Sequence, residues 1–139
     1  MSAAAIRITN ASSELGRVAA LADRFAAANH LSPDVVADLN VALDEVLSNI
    51  IKYGYADERT HEISIRLVVE HGVLVAEIED DGRSFDPLTL PEPDVHAPWR
   101  ERPIGGVGVH FVRKLMHDVS YSRTADRNRL VFKRRLQAE

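Results

Sequence analysis

The chain has no cysteine, a single tryptophan, few aromatic side chains overall (6%), and no apolar run long enough to cross a bilayer. Without cysteine there are no disulfides and no thiolate metal sites. Without a long apolar run there is no membrane-spanning helix. The first ten residues lack the basic start and apolar stretch of a signal peptide, so a cytoplasmic protein is expected. The histidines at 30, 61, 71, 96, 110 and 117 show no zinc-ligand spacing and read as surface or turn residues. The net charge of −4 argues against nucleic acid as the main partner, and the basic residues between Arg123 and Arg135 fit a charged strand face.

What remains is 139 residues, 45% of them hydrophobic and 27% charged, the balance of one soluble domain spanning the chain with a core of its own. The stretch from Asn40 to Tyr55, NVALDEVLSNIIKYGY, organises the rest. At 100° per residue, Val36, Leu39, Leu43, Val46, Leu47 and Ile50 fall on one helical stripe. Glu45 and Asn49, four apart, stack at the edge of that stripe. There they are either solvated surface residues or a carboxylate and a carboxamide placed to hold a metal-bound ligand.

In chain order, Ala5 to Thr9 reads as an edge strand, and Ser12 or Ser13 caps an alanine-rich helix from Glu14 to Asn29. Ser32-Pro33 starts the central helix, which runs to about Lys52 and stops at Gly54. Glu62 to Glu70 and Val73 to Glu79 form a hairpin about His71-Gly72. Phe85 to Ile104 holds five of the six prolines and the tryptophan, and a connection this long without periodicity suggests a lid. A third helix follows the glycines at 105, 106 and 108, with Val109, Val112, Leu115 and Met116 on its apolar face. Strands at Val119 to Arg123 and Arg129 to Leu136 enclose a turn at Asp126-Arg127-Asn128. The order predicts an α+β two-layer sandwich, three helices on one face of a mixed, mainly antiparallel sheet.

Two further stretches carry chemistry. Ile78 to Pro87, IEDDGRSFDP, ends a strand in Asp80-Asp81-Gly82, which is a common turn sequence and also a way to present a carboxylate beside a backbone that a flat ligand can approach. Gly105, Gly106 and Gly108 before a helix could cradle an anion or act as a hinge. They form neither a Walker loop, which needs Lys-Ser/Thr, nor a dinucleotide fingerprint, because Phe111 stands where a small residue is required.

Taken together, LDEVLSNIIKYGY, IEDDGRSFDP and GGVGVHFVRKLMHDVSYSR resemble the three boxes of the GHKL, or Bergerat-fold, ATPases over residues 34–136. Within that superfamily they look most like the RsbW-type anti-sigma-factor serine kinases. The resemblance implies ATP and Mg²⁺ as cofactors. It makes Asn49 the Mg²⁺ ligand, Glu45 the general base, Asp80 the acceptor of the adenine amino group with Gly82 giving the base room, and Gly105, Gly106 and Gly108 the phosphate loop. Residues 86–104 match the ATP lid, where Arg100 and Arg102 are candidates for a γ-phosphate contact. Ser84 and Val107 depart from the commoner glycine and Met/Leu at those positions. The implied partners are a small antagonist protein, a sigma factor and a second copy of the chain, with no nucleic acid or membrane. Two other functions fit the same boxes: an ATP-binding partner-switching module without phosphoryl transfer, and a detached histidine-kinase catalytic domain. The last is disfavoured because no phospho-acceptor histidine on a helix pair comes before the nucleotide-binding part.

Overall fold

The computed structural model describes residues 2–84 and 112–136. The chain runs β1 (Ser2–Thr9), α1 (Leu15–Ala28), α2 (Pro33–Tyr53), β2 (Glu62–Glu70), β3 (Val73–Asp80), β4 (Asp118–Thr124) and β5 (Arg127–Arg135). The five strands form one sheet in the order β1-β2-β3-β5-β4, and every pairing in it is antiparallel. Of the third helix, only the turn at 112–115 lies within the described residues.

Strict alternation along β3 sends Leu74, Ala76, Ile78 and Asp80 to the buried face. The register then lines up cross-sheet rows on that face. Ala4, Leu67, Ala76 and Phe132 make one row, and Ile6, Ile65, Ile78 and Leu130 the next. Against these rows pack Val18, Ala22 and Phe25 of α1, and Val35, Leu39, Ala42, Leu43, Val46, Leu47 and Ile50 of α2, in a single hydrophobic core. The opposite face carries charge, with Glu77 between Arg66 and Arg129.

Local chemistry explains most boundaries. The Ser32 hydroxyl accepts from Val35 N at 3.3 Å and caps α2, with Pro33 in its first turn, as expected. His71 and Gly72 have φ of 53° and 76°, the left-handed pair of a two-residue hairpin turn.

Three expectations are corrected. Neither Ser12 nor Ser13 caps α1: residues 12–14 form a 3-10 turn, Glu14 stands at the N-cap without a side-chain capping bond, and its carboxylate accepts from Thr9 N and Thr9 Oγ1 instead. Val35, rather than Val36, is the buried valine at the start of α2. The last hairpin turns at Ala125-Asp126, with φ of 54° and 63°, so Arg127 and Asn128 already belong to β5.

Candidate functional site

The row that closes the buried face of the sheet runs Ile8, Ile63, Asp80, Asn128. Its first two members are apolar like the rows before it. The last two are polar, and both are buried: Asp80 is 4% exposed and Asn128 5%. A carboxylate so enclosed needs donors. Asp80 Oδ1 accepts from Asn128 Nδ2 at 3.0 Å and from Gly82 N at 2.8 Å. Asn128 in turn donates to the Arg83 carbonyl at 2.9 Å, and its own oxygen accepts from Arg123 Nη1 at 2.8 Å and from the Tyr121 hydroxyl. Arg123 also donates to the Gly82 carbonyl. Burial, the largest influence, raises the Asp80 pKa above its ordinary value, and the bonds from Asn128 and Gly82 oppose it.

The end of α2 is fastened to this corner. Arg83 N donates to the Gly54 carbonyl at 2.8 Å, and Arg83 Nε to the Tyr53 carbonyl at 2.7 Å. A Cβ on Gly82 would stand 2.5 Å from the Gly54 oxygen and 2.9 Å from Asp80 Oδ1, so only glycine lets the strand end and the helix end meet. Gly54 is similarly constrained, since a Cβ there would come within 2.6 Å of the Ile50 oxygen.

One and two turns back along α2 stand Asn49 and Glu45. Asn49 is buried, with 6% exposure, alongside the core residues and not on their rim as the stripe suggested; Glu45 is partly exposed. The implied phosphate loop at Gly105, Gly106 and Gly108, the lid at 86–104 and its Arg100 and Arg102 lie outside the described residues.

Just past α2, Tyr55 stacks on His61 with ring centroids 4.3 Å apart and an interplanar angle of 17°. His61 is gripped between Asp57, at 2.7 Å from Nε2, and Asp81, at 3.1 Å from Nδ1. Its pKa is raised, chiefly by the bond to Asp57, while that of Asp57 is lowered by the same bond. The chain at His61 is also tied to Asn10, whose N donates to the His61 carbonyl and whose side-chain oxygen accepts from His61 N. The Tyr55 hydroxyl is buried and has no hydrogen-bond partner among the described residues. An enclosed carboxylate at a sheet end and an orphaned hydroxyl on the segment that follows α2 suit a polar-edged ligand.

Asn128, Tyr121 and Arg123 were not singled out from the sequence. The signal was available: with the turn at Ala125-Asp126, the period of two that buries Leu130 and Phe132 also buries Asn128.

The sequence profile described as the histidine kinase-like ATPase domain matches residues 8–134. The chain is 29% identical over 92 residues to the serine-protein kinase RsbW of Listeria monocytogenes, covering 63% of this chain and 59% of that protein. It is 28% identical over 91 residues to RsbW of Bacillus subtilis, covering 62% and 56% respectively. It is 27% identical over 92 residues to the serine/threonine-protein kinase BtrW of Bordetella bronchiseptica, covering 66% and 65%. The matched part thus spans about three-fifths of the length of the first two relatives. In fold, the chain is similar to the crystal structure of the RsbU and RsbW domains of Rv1364c from Mycobacterium tuberculosis, with a TM-score of 0.70 at 15% identity, covering 98% of this chain and 32% of that one.

Proposed function

Because the chain belongs to the histidine kinase-like ATPase domain family, we propose that it is an ATP-dependent serine protein kinase that phosphorylates a small antagonist protein and sequesters a sigma factor. The observation that carries the nucleotide part is the buried Asp80. Its Oδ1 is committed to Asn128 and Gly82, so the carboxylate is held in one orientation as a fixed acceptor for the amino group of adenine. The kinase part is supported by relatives named as serine-protein kinases.

In this reading Glu45 takes the proton from the attacking serine hydroxyl. Asn49 offers a hard oxygen to Mg²⁺, which when bound neutralises phosphate charge. Gly105, Gly106 and Gly108 hold the phosphates through backbone N–H groups, and residues 86–104 serve as the lid. The whole chain acts as one catalytic domain and pairs with a second copy of itself in the cytoplasm.

Labelled ATP and a small single-domain protein encoded beside this one provide the test. Wild type should place the label on a serine. Glu45→Ala should keep its Mg-ATP affinity and lose about 10²–10⁴-fold in transfer, the usual effect of removing a positioned base. Asn49→Ala should impair both binding and transfer. Because Asn49 is buried, a thermal melt should accompany that variant. Transfer by Glu45→Ala at the wild-type rate would remove Glu45 from the chemistry. ATP binding without transfer to any such partner would leave a partner-switching module.

A further inference from the structure

The Tyr55 hydroxyl stands out in the described structure because its oxygen is shut off from solvent without a hydrogen bond. A buried phenol normally finds a partner, and one left without carries the desolvation penalty of the missing bond. Such an atom calls for an explanation, and a bound ligand is one that can supply the missing partner.

The ring is not free to escape. It lies on His61, and His61 is held by Asp57 on one side and Asp81 on the other, while its backbone is bonded to Asn10 in both directions. The ring is therefore held one stacked imidazole away from Asp81, the neighbour of Asp80 in the chain. We propose that Tyr55 is a further base-binding residue of the Asp80 site, donating its hydroxyl hydrogen to a ring nitrogen next to the amino group of a bound adenine.

The chemistry follows from what the two side chains can offer. Ionised Asp80 only accepts, and a neutral phenol can donate. Burial and the neighbouring carboxylates of Asp80, Asp81 and Asp57 all keep Tyr55 protonated, and Arg127 opposes them. An acceptor beside a donor matches adenine, whose amino group donates and whose adjacent ring nitrogens, N1 on one side and N7 on the other, accept. On the N1 side guanine reverses both positions, with a carbonyl oxygen and an N–H. At N1 Tyr55 would thus sharpen selection of the base, whereas at N7, an acceptor in guanine as well, it would add affinity without selection.

The inference rests on the ATP reading, and the test separates the two. Wild type and Tyr55→Phe are titrated calorimetrically with the Mg complexes of ATP, 1-deaza-ATP and 7-deaza-ATP, and melted without nucleotide. Tyr55→Phe should melt no lower than wild type, because it removes an orphaned hydroxyl, and should bind ATP about three- to tenfold more weakly. One of the two deaza analogues should bind wild type more weakly by a similar factor and lose nothing further on Tyr55→Phe, since the bond is already gone. Unchanged ATP affinity in Tyr55→Phe, or losses that add for both analogues, would overturn the proposal while leaving ATP binding intact. A lower melting temperature with all three nucleotides weakened alike would assign the hydroxyl a purely structural part and equally overturn it. Failure of wild type to bind ATP at all would sink the nucleotide reading itself, and this inference with it.

Discussion

Asp80 is an ionisable side chain set where the apolar rows of the sheet would otherwise continue, and the fold bears the cost of keeping it there. Burial raises its folded-state pKa above the ordinary carboxylate value of 3.8, so the native chain holds the proton more tightly than the unfolded one. The favourable contribution is complete below that ordinary value and is lost as pH rises through the folded one. At neutral pH the ionised group therefore weakens the fold. Asp80→Asn, which keeps an oxygen to accept from Asn128 and Gly82, should melt higher than wild type at pH 7, and the gap should narrow as pH falls toward 3.8. The same variant should bind ATP roughly ten- to a hundredfold more weakly, because a carboxamide N–H would face the adenine amino group. Melting curves across pH, paired with ATP titrations, check both halves. A variant that melts lower at neutral pH would mean that Asp80 stabilises the corner it occupies.

At the level of elements, the site exists because two ends meet. The last turn of α2 and the end of β3 are joined through the backbone of Gly54, Gly82 and Arg83, and the contact leaves no room for a side chain at Gly82. Gly82→Ala should cost about 1–3 kcal/mol as the two ends separate, and should weaken ATP binding as Asp80 loses its donor from Gly82 N. A chemical denaturation series measures the first and a titration the second. Stability equal to wild type would show that the corner can give way cheaply.

Much of this was legible in the sequence. The Ser32-Pro33 start, the His71-Gly72 turn and the strand from Val73 are local signals, and each appears where it is expected, while the α2 stripe shifts at its start to Val35 and takes in Asn49. What escaped depends on contacts and conformations that composition does not mark. The serines do not cap α1 because residues 12–14 form a 3-10 turn ahead of it, while the Glu14 carboxylate reaches back to the N–H and hydroxyl of Thr9 at the end of β1. The last hairpin was misplaced because Asp-Arg-Asn carries turn composition, while Ala125, which composition does not mark, takes the left-handed conformation. That shift concealed Asn128, which becomes meaningful only once Asp80, 48 residues earlier in the chain, lies opposite it. Gly82 was read as giving a ligand room; the structure adds that its missing side chain makes way for Gly54.

For the whole molecule, the resemblance carried by three short boxes is borne out by a family match over residues 8–134 and by a similar fold in a solved RsbW domain. Helices on one face of an antiparallel sheet leave the other face charged and the Asp80 corner at the end of the sandwich. No described helix is long and apolar enough to cross a membrane. The central claim is that this corner selects adenine among purine nucleotides, and calorimetric titration of the wild-type chain with Mg-ATP and Mg-GTP tests it most directly. Guanine would set a carbonyl oxygen against the Asp80 carboxylate, two acceptors whose mismatch costs about 1–3 kcal/mol, so ATP should bind roughly ten- to a hundredfold more tightly. Equal affinity for the two nucleotides, or binding of neither, would contradict the account.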